Sequence, residues 1–258
     1  MNANADFSGK TVLVTGGTKG IGAALASSFL AAGAEVAVCG RNEPSSLPRA
    51  GGRSAHFFSA DVRDATAASS LVGEVTDRLG RLDVLVNNAG GSPDADAATV
   101  SPRFFEKIVA LNLLAPFYVA QPANQVMQAQ ESGGVIVNIG SVSGVHPQPG
   151  TAAYSTSKAG LLMLTRALAL EWSPKVRVNH VTVGLIKTEA SASIYGPDGG
   201  AALSEAIPMK RMATLDDVTS ACLFLASDQA SYITGADLPV HGGGEVPARY
   251  LITHGQRE

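Results

Sequence analysis

Compact apolar runs that alternate with helical segments constrain this chain more than any other feature. Thr11–Thr15, Val36–Cys39, Ala55–Ala60, Leu82–Val86, Val135–Ile139, Val176–Val181 and Ala236–Val240 each read as a short strand. Several are apolar at successive positions, as strands buried on both faces are. Helical spacing fills the intervals at Ile21–Ala32, Ala65–Arg78, Phe104–Gln130, Ser155–Trp172 and Val218–Ala226. This alternation predicts an α/β fold: a doubly wound, mostly parallel seven-stranded sheet with helices on both faces. Right-handed crossovers then gather the loops that follow the strand ends at one edge of the sheet.

The 258 residues suffice for one such unit, and no shift in composition marks a linker, so 1–258 reads as a single domain. One stretch breaks the rhythm. Ser191–Met212 carries Gly196-Pro197-Asp198-Gly199-Gly200 and shows no clear period. An aperiodic excursion inside a compact domain usually has a function, and 186–212 is read as a substrate lid.

Between the first strand and the first helix lies Thr15-Gly16-Gly17-Thr18-Lys19-Gly20-Ile21-Gly22. A glycine-rich turn in this context fits a dinucleotide. Gly16 permits a tight turn, Gly20 admits a diphosphate close to the backbone, and Gly22 lets the helix pack on the sheet. The helix start offers N–H groups and a positive dipole end to phosphate. The turn lacks the Gly-Lys-Ser/Thr ending of a triphosphate loop. A nicotinamide dinucleotide bound this way implies a Rossmann fold.

The second strand ends in Gly40-Arg41-Asn42. A carboxylate is the usual partner of a free ribose 2′-hydroxyl at this point, and none is present. Arg41, with Lys19 from the glycine turn, suits a 2′-phosphate instead, so NADP(H) is the expected cofactor. Asp61 and Val62 close the third strand, where the carboxylate either accepts from the adenine amino group or caps its own turn. Asn87-Asn88-Ala89-Gly90 closes the fourth. Asn88 ties neighbouring strand-end loops, and Ala89 and Gly90 leave room for adenosine.

Tyr154 and Lys158 lie four residues apart, on one face of a helix. A neighbouring ammonium is expected to lower the phenol's pKa and fit it for proton transfer. Ser141, after the fifth strand, offers a hydroxyl to polarise a carbonyl. Asn112 lies inside the long helix, either as a satisfied core group or as part of a proton relay. Pro116, four residues on, has no N–H for the Asn112 carbonyl.

Taken together, the chain resembles the short-chain dehydrogenase/reductase family from about Val12 to Gly243. The family's T-G-x-x-x-G-x-G matches Thr15–Gly22, and its N-N-A-G matches Asn87–Gly90. Its Asn-Ser-Tyr-Lys tetrad matches Asn112, Ser141, Tyr154 and Lys158, with the usual separation of thirteen positions from Ser141 to Tyr154. The resemblance implies hydride transfer at nicotinamide C4, with Tyr154 as general acid/base interconverting a ketone and a secondary alcohol. It points to NADP(H)-dependent carbonyl reductases of the 3-oxoacyl type. The runner-up is a catabolic alcohol or steroid-type dehydrogenase working in the oxidative direction. Enoyl reductases of similar fold usually space their Tyr and Lys more widely. The cofactor set that the resemblance carries is Gly16, Thr18, Lys19, Gly20, Ile21, Gly22, Arg41, Asp61, Val62, Asn88, Ala89, Gly90, Tyr154, Lys158, Gly184, Ile186 and Thr188. Val183 stands where the family usually has proline, and His241 where it often has aspartate. A homotetramer is the family expectation.

Composition narrows the partners. A net charge of -3 gives no footprint for nucleic acid. No apolar run is long enough to span a bilayer, and Met1–Lys10 lacks the core of a signal peptide, so the expected location is cytoplasmic. The two cysteines, Cys39 and Cys222, read as buried apolar residues and not as a disulfide or metal pair. A small-molecule carbonyl or alcohol is the remaining partner. His146, Leu203, Ile207, Met209, Ile194 and Tyr195 are candidates for its pocket wall.

Overall fold

The computed structural model describes residues 6–188, 195, 198 and 200–244. Seven parallel strands form one sheet in the order β5-β2-β1-β6-β7-β8-β9. These are β1 (Thr11–Thr15), β2 (Glu35–Gly40), β5 (His56–Ser59), β6 (Val84–Asn87), β7 (Gly134–Ile139), β8 (Val176–Val183) and β9 (Asp237–Val240). A two-stranded hairpin, β3 (Arg49–Ala50) and β4 (Arg53–Ser54), stands apart and was not foreseen. Gly51 and Gly52 turn it with φ of 58° and 75°, a conformation that costs glycine little.

Alternate residues of each strand face opposite layers. Val12, Val14, Val36, Val38, Val84, Val86, Val135 and Val137 pack on one side with Leu25 and Phe29 of α1 (Gly20–Ala31). Leu13, Ala37, Leu85 and Ile136 face the other side, toward α2 (Ala65–Leu79) and α4 (Ala115–Ala129). The helices stop where local chemistry stops them. Asp64 caps α2 by accepting from the Ala67 N–H at 2.8 Å, and Gly80 ends it in the left-handed region. Thr214 and Asp217 form a reciprocal capping box at the start of α7 (Leu215–Ala226), which follows the short α6 (Ala201–Ala206).

One expectation needs correction. The single helix over Phe104–Gln130 is α3 (Pro102–Val109) and α4 joined by a π-turn over Ala110–Leu114. Pro116 has no N–H for the Asn112 carbonyl, and the Ala115 N–H reaches back to Ala110 instead, giving a wider turn. The remaining helix, α5 (Ala152–Trp172), starts one turn before its apolar spacing suggests. Of the 186–212 excursion, 189–194, 196–197 and 199 lie outside the described residues, Ile194 among them. Its neck is described. Ile186 pairs with Ala213 in a parallel bridge, with Lys187 N–H to Ala213 O at 2.8 Å and Ala213 N–H to Leu185 O at 2.9 Å. No described helix is long and apolar enough to cross a membrane.

Candidate active site

The glycine turn is shaped by contact and by space. Gly16 has φ +62°, and a Cβ there would lie 3.1 Å from the Ala89 Cα. A Cβ on Gly22 would fall 2.3 Å from the Gly16 carbonyl oxygen, so only glycine lets α1 begin this close to β1. At Gly20, φ is +52° and nothing lies within 4 Å of the Cβ position. That is the open backbone a diphosphate needs. Lys19 is the N-cap of α1 and makes no side-chain capping bond, so no side chain from the cap takes the helix's first N–H groups. Thr18 lies beside Gly40 at the end of β2, and Ile21 packs on the core below.

Strand ends β1 and β6 are laced together. The Thr15 hydroxyl accepts from the Asn88 and Ala89 N–H groups at 3.0 Å each, and Asn88 Nδ2 donates to the Thr15 and Gly16 carbonyls. Asn88 is thus the tie expected of it. Beside this tie lies a cavity of about 180 Å³, walled by Arg41, Asp61, Val62, Arg63, Ala89 and Leu111. Its place at the ends of β2, β5 and β6 fits an adenosine. Arg63 was not singled out in the sequence, because two residues after a strand end it reads as surface. Its guanidinium grips Asp61, with Nε 2.9 Å from Oδ1 and 3.2 Å from Oδ2, while the Arg63 N–H also donates to Oδ1 at 3.1 Å. The Asp61 carboxyl is held below its usual range, chiefly by this hydrogen bond. Cys39 also reaches the cavity wall, and burial pushes its thiol up to about 11. Cys222 is buried as well, and both thiols are free.

At the other end of the site, Tyr154 sits in the first turn of α5, and Ser141 follows β7. The Ser141 hydroxyl lies near enough to act on the Tyr154 phenol, and its Oγ accepts from the Ser143 N–H at 3.2 Å. Lys158 is buried one turn on, its Nζ 5.7 Å from the Tyr154 ring centre and 2.7 Å from the Ile139 carbonyl oxygen. Burial alone lowers the Lys158 ammonium to about 8. The expectation for Tyr154 is reversed. Burial raises its pKa, the neighbouring Ser141 hydroxyl opposes that rise, and the Tyr195 phenol adds to it. The reason is burial, which disfavours the charged phenolate and outweighs the neighbouring hydroxyl.

Asn112 is fully buried in the π-turn, and its side chain is satisfied. Oδ1 accepts from the Gly91 N–H at 2.8 Å, and Nδ2 donates to the Gly91 and Ile108 carbonyls. It therefore pins the loop after β6. Gly90 fits between, since a Cβ there would lie 2.8 Å from Asn112 Oδ1 and 3.3 Å from Lys158 Nζ. A second unforeseen residue packs against Gly140, the residue before Ser141. The buried His180 ring lies where a Gly140 Cβ would be, 2.0 Å from that position, and Asp237 holds its Nδ1 at 2.8 Å. Nothing but the absence of a side chain at Gly140 hinted at this.

Gly184 packs against His241, whose Cβ would be 2.7 Å from an added methyl. Ile186 is buried at the neck and Thr188 is half-buried beyond it. Tyr195 is half-buried, with its phenol at the Ile186 N–H. Ile207 packs onto the body, whereas Leu203, Met209 and His146 are exposed. Among the described residues no cluster of His, Cys, Asp or Glu is arranged for a metal.

A family model described as Enoyl-(Acyl carrier protein) reductase matches residues 16–245. The chain belongs to the short-chain dehydrogenase/reductase family. D-threitol dehydrogenase of Mycolicibacterium smegmatis is 36% identical over 94% of this chain and 96% of that protein. 3beta-hydroxysteroid dehydrogenase 1 of Eggerthella lenta is also 36% identical, over 92% and 94%. A putative short-chain alcohol dehydrogenase from Sinorhizobium meliloti has the same fold, with a TM-score of 0.85 and 37% identity over 93% of this chain and 99% of that one. This member of the family is an oxidoreductase that uses a nicotinamide cofactor.

Proposed function

We propose that the chain is an NADP(H)-dependent oxidoreductase that interconverts a ketone and a secondary alcohol, with Tyr154 as general acid/base. The observation that carries this reading is the grouping of Tyr154 and Ser141 with Lys158, buried on the next turn 5.7 Å from the Tyr154 ring, at the sheet edge that also holds the cofactor turn. The separation of Tyr154 and Lys158 by four residues favours carbonyl over enoyl chemistry. The residues present fit the dinucleotide: open backbone at Gly20, an uncapped helix start and an adenosine-sized cavity.

When bound, the cofactor supplies the hydride. The protein supplies the rest. Ser141 Oγ–H donates to the substrate oxygen and withdraws charge from the carbonyl carbon. Tyr154 gives its proton to the oxygen as charge builds there. A raised phenol pKa keeps that proton in place at neutral pH, which suits reduction. Lys158 orients the cofactor ribose and carries the proton supply below Tyr154. Asn112 holds the Gly91 loop, leaving its main-chain carbonyl for a relay water.

NADP(H) is supported by Arg41 on the cavity wall and by the lack of a carboxylate at the end of β2. Neither Arg41 nor Lys19 forms an ion pair among the described residues. The remaining cofactor residues proposed are Gly16, Thr18, Gly20, Ile21, Gly22, Asp61, Val62, Asn88, Ala89, Gly90, Gly184, Ile186 and Thr188. The excursion 186–212 is proposed as the substrate lid, the location as cytoplasmic and the assembly as a homotetramer. Exposed Met163 and Leu170 on α5 supply apolar surface for self-association. The test is a panel of ketones and alcohols with NADPH and NADH, read by cofactor absorbance. Turnover of a ketone with NADPH preferred is expected; equal use of NADH refutes the cofactor reading, and near-normal turnover by Tyr154→Phe refutes the mechanism.

A further inference from the structure

Ser141 is reached through a glycine. The β7–β8 ladder ends at Ile139 and Val181, and the Gly140 N–H makes the last bond across it, to the Val181 carbonyl at 2.8 Å. Beyond that bond, the Gly140 linkage carries the chain to Ser141. Glycine tolerates more backbone conformations than any other residue, so an unsupported glycine here would let Ser141 swing. The structure closes that freedom from β8. The His180 ring lies against Gly140, with Cε1 2.0 Å and Nε2 2.2 Å from the position a Cβ would take. The ring is itself held. His180 is 1% exposed, its Nδ1 is 2.8 Å from Asp237 Oδ1, and the Thr182 hydroxyl donates to the same oxygen at 2.7 Å. Donation to that carboxylate puts the ring proton on Nδ1. Nε2 is then a bare acceptor, buried without a hydrogen-bond partner among the described residues. An apolar ring would fill the same space without that cost. What histidine adds is the tether to Asp237 on β9.

We propose that His180 is a positioning residue: braced by Asp237, it packs Gly140 in place and fixes where Ser141 presents its hydroxyl to the substrate. This rests on the reading of Ser141 as the group that polarises the carbonyl, and it names what aims that group. His180 is sealed inside the protein and acts only through Ser141. The brace runs across three neighbouring strands, β7, β8 and β9, so the place of the hydroxyl is set by the sheet and not by its own loop alone. The bond from the Ser143 N–H orients the Ser141 side chain but leaves the main chain at Gly140 untouched. Support of this kind matters to a preorganised hydroxyl, because a misplacement on the order of 1 Å costs about 10²-fold in rate.

The experiment compares kcat, KM for an accepted ketone, NADPH affinity and the urea midpoint across four variants and the wild type. The variants are His180→Ala, Gly140→Ala with His180→Ala, Ser141→Ala, and Ser141→Ala with His180→Ala. His180→Ala is expected to lower kcat about tenfold, as a displacement of less than about 1 Å would, with NADPH affinity unchanged. Adding Gly140→Ala recovers most of that loss, because the methyl fills the emptied space and ends the glycine's freedom. In the Ser141→Ala background, His180→Ala changes kcat by less than about twofold, since no hydroxyl is left to misplace. Should His180→Ala not fold, Asp237→Ala releases the ring without emptying the space, and the same kcat loss and the same silence without Ser141 are expected. A His180→Ala enzyme that is less stable yet turns over normally makes the histidine a packing residue and overturns the proposal. So do losses that multiply with Ser141→Ala, or a Gly140→Ala, His180→Ala pair no faster than His180→Ala alone. A wild type that reduces no ketone, or a Ser141→Ala enzyme as fast as wild type, overturns the underlying reading of the site instead, a result visible before the His180 variants are made.

Discussion

Burying Lys158 costs stability, and the cost has a calculable pH signature. Its ammonium is fully buried, with the Ile139 carbonyl as its hydrogen-bond partner, and its pKa falls from an ordinary 10.5 to about 8. The unfolded chain therefore binds more protons than the folded one between about pH 8 and 10.5. Stability contributed by this group rises with pH across that window and is at its lowest below pH 8. Replacing it by methionine removes the titration. Whatever constant offset arises from the lost hydrogen bond, the wild type should gain about 2 kcal/mol relative to Lys158→Met between pH 7 and pH 9.5. Both proteins carry the same two thiols, whose titration cancels in the difference. Urea unfolding of the cofactor-free proteins at the two pH values measures it. A stability difference that does not change with pH would show that Lys158 is not desolvated as the structure has it.

Three further outcomes follow from the same geometry. Tyr154→Phe should lower kcat by about 10³-fold while leaving NADPH affinity within a few-fold, checked by steady-state rates and cofactor titration. Gly140→Ala should cost about 1–3 kcal/mol of stability, because the methyl would lie 2.0 Å from the buried His180 ring; a denaturation midpoint equal to wild type would contradict this packing. Cys39 and Cys222, with thiols pushed up to about 11 and 12, should resist a thiol reagent at pH 8 in the folded protein and react on unfolding.

The parts of the molecule that local chemistry dictates were legible in the sequence. Strand positions followed from short apolar runs, the glycine turn from its place between Thr15 and Ile21, and the Tyr154–Lys158 face from a spacing of four. Features that need two distant segments at once were not. Arg63 becomes a cavity wall only because β5 lies beside β2, and His180 packs against Gly140 only because β7 and β8 are neighbours with Asp237 beyond. The reversed Tyr154 pKa belongs to the same class. Residue spacing places an ammonium near a phenol, but the depth at which the phenol is buried decides the direction of its shift.

The neck at Ile186 and Ala213 has a consequence beyond catalysis. Two backbone hydrogen bonds join the ends of the excursion where it leaves and rejoins the body, so the sheet and the cofactor turn see the same two anchor points whatever lies between them. Lengthening a tethered segment is cheap, about 0.6 kcal/mol for each doubling. The segment is in effect an exchangeable cartridge. The segment between the anchors can be exchanged without renegotiating the core, and an engineer can graft a foreign segment between the same two residues.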